Sequence, residues 1–254
     1  MSLKNKLLFW KLKLINRSGD QLKIKRVKLH NSTVTFRKGE EVLHAYREIY
    51  RDGIYTFPSS SATPLILDCG AHIGMSVIFF KQLFPSSRIV AFEPDQESFD
   101  LLKENASQFK DITLVQKAVW IHNNGVSFEQ TGDMSSHINE SVTTAVKTPS
   151  ARLYDYLDQP VDMLKMDIEG AEIDVLLDCK DRLHNVKNMF VEFHGRANDP
   201  EKLQTLLSIF RDCKLDYYIK PANDWAPLPF MHMKMENTWE VQLNIFCKKA
   251  DTSL

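Results

Sequence analysis

The stretch Leu65-Ile66-Leu67-Asp68-Cys69-Gly70-Ala71-His72-Ile73-Gly74 limits the fold more than any other part of the chain. Three apolar residues run into an acid. Two glycines follow, and Met75 to Phe84 then has the spacing of a helix. Buried strand, tight turn and helix start, in that order, form the first unit of a doubly wound sheet. Gly70 lets the backbone turn without a Cβ clash, and Gly74 lets a ligand or the neighbouring strand come close. A second apolar strand, Arg88 to Phe92, ends at Glu93, 19 positions after Gly74. An acid about 20 residues past such glycines is where the hydroxyls of a ribose are held.

A dinucleotide fits this pattern poorly. Its fingerprint is Gly-x-Gly-x-x-Gly, and His72 and Met75 stand where the second and third glycines belong. Asp68 at the strand tip repels a pyrophosphate and attracts an ammonium group, directly or through water. A ligand with a ribose at one end and an amino acid at the other satisfies both acids, and S-adenosylmethionine is such a ligand. The plainer alternative is an ordinary βαβ unit with no ligand.

The 254 residues suffice for one large or two small domains. An apolar fraction of 43% with 26% charged residues is that of a soluble globular protein. The net charge of -1 conceals an asymmetry, because residues 1–38 hold eleven Lys or Arg and one acid, Asp20. The plain reading of this block is a cap on the main domain. The sharper reading is a basic patch for an anionic membrane or another polyanion. Nucleic acid fits less well, since no aromatic platform or groove-reading motif accompanies the charge. Leu7 to Trp10 is too short for a signal-peptide core, and nothing is long enough to span a bilayer. The four cysteines, Cys69, Cys179, Cys213 and Cys247, form no C-x-x-C pair and read as reduced thiols of a cytoplasmic protein, with peripheral membrane contact where the basic patch acts.

Along the chain, residues 1–17 fit a short basic helix, 21–38 a β-hairpin turning near His30-Asn31-Ser32, and 40–51 a helix ended by Gly53. Residues 1–60 therefore form an N-terminal α+β cap, and 61–254 the main domain. From position 64 onward strand and helix alternate. Strands are expected at 65–68, 88–93, 112–119, 162–167, 188–193, 215–220 and 240–248, and helices at 75–84, 95–108, 171–183 and 199–212. Alternation of this kind gives an α/β fold with a mostly parallel sheet covered on both faces. The last two strands lack a long helix between them, so the seventh is expected antiparallel beside the sixth. Residues 120–150 form a long polar insertion with room for a small hairpin at 120–130, and such loops at the carboxyl edge of a sheet often carry function.

The second dense stretch is Val161 to Glu172. A strand ends near Asp167 and a helix begins near Gly170. The next strand carries Glu192 and His194 to the same edge, so three ionisable groups from adjacent strand tips can converge. Each has a plain reading as well. Glu169 and Glu172 suit a helix N-terminus, where the dipole stabilises a carboxylate by roughly 0.3–1 kcal/mol. Lys165 pairs with one of these acids, and His194 is a satisfied loop histidine. Taken together, the three are read as a functional edge beside the ligand cleft.

Three pieces of the sequence resemble the FkbM family of S-adenosylmethionine-dependent methyltransferases. They are Asp68-Cys69-Gly70-Ala71-His72-Ile73-Gly74, Phe92-Glu93-Pro94 and Leu164-Lys165-Met166-Asp167-Ile168-Glu169-Gly170-Ala171-Glu172. The third, Lys-x-Asp-x-Glu-Gly-x-Glu, is the most specific. The resemblance covers roughly 40–248 and implies a Rossmann-like, seven-stranded methyltransferase fold with methyl transfer to a hydroxyl, often on a sugar or polyketide. It also implies that Asp68, Gly70 and Gly74 line the methionine end of the cofactor and Glu93 its ribose. Ala71, His72 and Ala118 complete the expected cofactor set. His72 departs from the family's usual Asn.

An alcohol is a poor nucleophile, so a base or a metal must assist. Asp167 or His194 is the expected base, with Glu192 beside them. Alternatively Asp167, Glu192 and His194 hold Mg²⁺ or Mn²⁺. The metal-free route is preferred here, because a sequence shows no convergence of ligands. Two other functions remain open. Amino-group methylation usually goes with Asn/Asp-Pro-Pro-aromatic after the fourth strand, where this chain has Asp-Ile-Glu-Gly. The other is a non-catalytic binding module that kept the fold, and the intact Asp68, Gly70, Gly74 and Glu93 argue against it.

Overall fold

The computed structural model describes residues 23–129, 137–138, 147–196, 199–222 and 240–249. The basic helix expected over 1–17 lies outside them, as do much of the polar insertion and the connection at 223–239. No helix among the described residues is long and apolar enough to cross a membrane.

Strands β1 (Lys25–Leu29) and β2 (Ser32–Phe36) pair as the expected antiparallel hairpin, with His30 left-handed at the turn. Helix α1 (Gly39–Ala45) passes into a π-helical turn, Tyr46–Arg51, where one regular helix is expected. Then follow β3 (Leu65–Cys69), α2 (Met75–Leu83), β4 (Arg88–Phe92), α3 (Gln96–Ala106) and β5 (Ile112–Val115). Asp95 caps α3 by accepting from the Ser98 N–H. The single strand expected over 112–119 is broken at Gln116-Lys117. Beyond the break, β6 (Ala118–Trp120) pairs in a different sheet. The insertion holds β7 (Val126–Glu129), β8 (His137–Ile138), β9 (Lys147–Thr148) and β10 (Ser150–Arg152). In place of a 120–130 hairpin, β6 pairs parallel with β10, and β7 pairs antiparallel with β8 and β9. The remainder is β11 (Val161–Met166), α4 (Glu172–Asp178), β12 (Val186–Arg196), α5 (Pro200–Asp212), β13 (Leu215–Pro221) and β14 (Glu240–Lys249).

The main sheet has seven strands in the order β13-β14-β12-β11-β3-β4-β5. β14 runs antiparallel to both β12 and β13, as expected for a last strand inserted beside the sixth. Every residue of β3 and β11 is buried, which is why these segments read as apolar runs rather than alternating patterns. The charged exceptions in those runs, Asp68, Asp162 and Lys165, are buried too and must be paired.

The packing divides into two units: Met1–Pro64 with Ala71–Gln116, and Leu65–Gly70 with Lys117–Leu254. In the first, the hairpin contributes the buried side chains Val27, Leu29, Val34 and Phe36. Buried Asn105 of α3 fixes it in place. Its Oδ1 accepts from the Thr35 N–H at 2.7 Å, and its Nδ2 donates to the carbonyls of Thr35 and Ile73. Residues 25–36 are therefore part of a core. In the second unit β13 exposes Tyr217 and Tyr218, and Lys220 lies over the Tyr218 and Phe246 rings.

Both glycines of the first motif are left-handed, with φ of 83° at Gly70 and 86° at Gly74. A Cβ on Gly70 would lie 1.8 Å from the Asp167 carbonyl oxygen, a backbone atom that cannot swing aside. A Cβ on Gly74 would meet Leu102 Cδ1 of α3 at 2.7 Å, so the close neighbour there is a flexible helix side chain and not a strand. Gly74→Ala is expected to cost about 1–3 kcal/mol, as overpacking does. Gly70→Ala is expected to cost distinctly more and to lower the soluble yield. Thermal denaturation of the two variants checks this order, and equal losses would count against it.

Candidate active site

β11 and β12 run parallel, with Met166 opposite Val191, so Asp167 comes directly after β11 ends. β12 does not stop at 193. β14 continues to pair with it as far as Arg196, which places Glu192 and His194 inside a strand but beyond the end of β11. Being two residues apart, they project from the same face. Ligand atoms of Asp167, Glu192 and His194 all lie within 4.8 Å of one another. The convergence expected from the sequence is present.

After Asp167 the chain turns through two successive left-handed residues, Glu169 (φ 55°) and Gly170 (φ 97°). Glu172 opens α4, but it is no exposed helix-start acid. It is buried, and its Oε1 accepts from the Ile168 N–H at 3.2 Å and the Gly170 N–H at 3.1 Å. The same oxygen lies 3.2 Å from His194 Nδ1. His194 Nε2 faces Glu169 Oε2 at 3.6 Å and Glu192 Oε1 at 3.8 Å. Burial is the largest influence on the imidazole and lowers its pKa. The Glu172 hydrogen bond and the charges of Glu172, Glu169 and Asp167 together outweigh it and raise the value to about 10.

The Lys165 ammonium is buried behind this edge. It lies 3.5 Å from Asp68 Oδ1 and 3.4 Å from Asp167 Oδ2, and it donates to the carbonyls of Cys69 and Gly70. Its ionic partners are thus the two aspartates, in place of the Glu169 or Glu172 expected from the sequence. Asp68 has no exposed surface. In this structure its carboxylate offers a ligand no direct contact and acts on the turn through Lys165. Cys69 is also fully buried, and burial pushes its thiol far up, so it is an inert packing residue.

In the other unit, Glu93 is nearly buried at the end of β4. Its two oxygens accept from the His72 N–H at 2.8 Å and the Asp95 N–H at 2.9 Å. The Ala71 N–H donates to the Phe92 carbonyl, and the Gly74 N–H to that of Ala71. His72 is left-handed, φ 48°, and its half-exposed ring lies 3.6 Å from Glu41. Left-handed backbone is adopted by Asn more readily than by His. Ala118 is buried on β6, and its N–H is committed to the Pro149 carbonyl.

Residues 68–217 match the family described as Methyltransferase FkbM domain. The chain belongs to the FkbM methyltransferase family. It is 27% identical over 228 residues to Methyltransferase 1 of Beauveria bassiana, covering 77% of this chain and 88% of that one. It is 24% identical to 2-O-methyltransferase NoeI of Sinorhizobium fredii over 51% of this chain and 63% of that one. It is 26% identical to hexuronic acid methyltransferase AglP of Haloferax volcanii over 63% and 66%. Among solved structures, M. jannaschii TYW2 in complex with AdoMet aligns with a TM-score of 0.50 at 11% identity, covering 89% of this chain and 87% of that one. At that identity the likeness speaks for the fold alone. This FkbM chain has the Rossmann-like fold of class I S-adenosylmethionine-dependent methyltransferases, with an antiparallel last strand.

Sequence reasoning missed one member of the edge, Glu172. The signal was available: Glu172 shares a helical face with Val175 and Leu176, both buried, and an acid on an apolar face needs a partner. The FkbM chain supplies that partner as His194.

Proposed function

We propose that this protein transfers a methyl group from S-adenosylmethionine to a hydroxyl oxygen of a sugar, glycan or other small-molecule acceptor. One observation carries the reading: Asp167 presents a partly exposed carboxylate just past β11, held by the buried Lys165 ammonium 3.4 Å away. The bound cofactor supplies a methyl on a sulfonium sulfur, which leaves as a thioether when the acceptor oxygen forms the new C–O bond. We assign Glu93 to the cofactor's ribose, since it ends β4 about 20 residues past the glycine turn and is held there by the His72 and Asp95 N–H groups. The turn from Gly70 to Gly74 is assigned to the methionine end, with Lys165 fixing its first carbonyl.

Asp167 takes the hydroxyl proton. A carboxylate oxygen has a lone pair to accept it. His194 does not, because its pKa of about 10 keeps it an imidazolium in the free protein. With no cation bound, its charge balances those of Glu192 and Glu169, and a cation bound there would take the place of the Nε2 proton. The similarity to 2-O-methyltransferase NoeI supports transfer to oxygen, and the similarity to hexuronic acid methyltransferase AglP supports a sugar-type acceptor.

The test uses S-adenosylmethionine with an isotopically labelled methyl and a panel of glycosides, lipid-linked sugars and amines. Label is expected in an alkali-stable methyl ether of a sugar. Label only in amines would overturn the oxygen acceptor. Cofactor binding by calorimetry with no product from any acceptor class would favour a binding module.

A further inference from the structure

We propose that Asp167, Glu192 and His194 bind one divalent cation of the Mn²⁺ or Mg²⁺ type. The preference for a metal-free route rests on the absence of visible convergence in a sequence, and the structure supplies that convergence. Three donor atoms, two carboxylate oxygens and an imidazole nitrogen, lie within 4.8 Å of one another. No thiolate takes part, and an oxygen-rich set suits a hard cation. Asp167 and Glu192 are partly exposed, so solvent or an acceptor hydroxyl can complete the coordination.

A second observation separates this group from an ordinary acidic cluster. Glu172 Oε1 already accepts two backbone N–H groups, so at His194 Nδ1 it acts again as the acceptor. The ring is thereby held with Nε2 turned toward Glu169 and Glu192. A carboxylate behind an imidazole is how metal-bound histidines are oriented and made more basic. The inference deepens the methyl-transfer reading and rests on it only for its purpose, since a cation there lowers the pKa of a bound hydroxyl. The ligand geometry stands without it.

The experiment titrates Mn²⁺ into chelator-treated, cofactor-free, full-length protein and follows the electron paramagnetic resonance signal of free Mn²⁺. One Mn²⁺ per chain is expected to lose its free signal, and excess Mg²⁺ to release it. Glu172→Gln should weaken binding about 10–100-fold, as orienting partners do. Glu192→Gln and Asp167→Asn should weaken it more. Glu169→Gln should bind nearly as the parent does. An undiminished free signal with the parent protein would overturn the site. So would a Glu169→Gln loss equal to that of Glu192→Gln, which would indicate diffuse attraction by acids. Circular dichroism accompanies each variant, and Asp167→Asn carries the test if Glu192→Gln does not fold. Calorimetry with S-adenosylmethionine on the same samples keeps the two readings apart. Cofactor binding without Mn²⁺ binding removes only the cation site, and Mn²⁺ binding without methyl transfer removes only the function.

Discussion

Asp167→Asn protein is expected to bind S-adenosylmethionine as the parent does and to turn over about 10²–10⁴ more slowly, the usual contribution of a positioned base. The substitution is nearly isosteric and leaves an amide oxygen for Lys165, 3.4 Å from the present carboxylate. The turn at Gly70 touches the Asp167 backbone and not its side chain, so the turn should survive. Calorimetry gives the affinity and single-turnover kinetics the rate. Undiminished turnover in Asp167→Asn, with His194→Ala inactive, would move proton removal to β12. A large loss of cofactor affinity would make Asp167 a binding group instead.

The largest stability effect is expected at Lys165. Its ammonium is the cation against Asp68, whose carboxylate is 0% exposed. Removing one member of a buried ion pair leaves the other charge uncompensated and costs about 3–5 kcal/mol. Lys165→Met also strips the Gly70 carbonyl of its donor. Urea unfolding should therefore show a loss of that order. The double variant Lys165→Met/Asp68→Asn should recover part of it, because the orphaned charge is gone. A single variant within about 1 kcal/mol of the parent would mean that water reaches Asp68 after all.

The order of the sheet was readable because its inner strands are buried on both faces. Leu65-Ile66-Leu67 and Ile89 to Phe92 are unbroken apolar runs ending at acids, and the acids mark the carboxyl edge. Asp167, Glu192 and His194 were readable for the same reason: strand ends are visible in a sequence. The break between β5 and β6 was not, since Gln116 and Lys117 carry no turn signal and the change of partner depends on distant Ser150–Arg152. The partners of Lys165 were equally hidden. They are set by the register that puts Lys165 opposite Asp68, a relation between strands about 100 residues apart that no local pattern encodes. The shift of α1 into a π-helical turn has no local sequence cue either, although the stacked rings of Tyr46 and Tyr50 accompany it.

Among the described residues β13 is the outermost strand on one side of the main sheet, and an outermost strand is a template on which another chain can add a strand of its own. Two exposed tyrosines would make that template sticky. The strand counters this with its own sequence. Asp216 and Lys220 put opposite charges along it, Lys220 lies across the Tyr218 ring, and Pro221 ends it without an N–H to offer. The protein can therefore keep aromatic surface at its rim and still resist edge-to-edge aggregation.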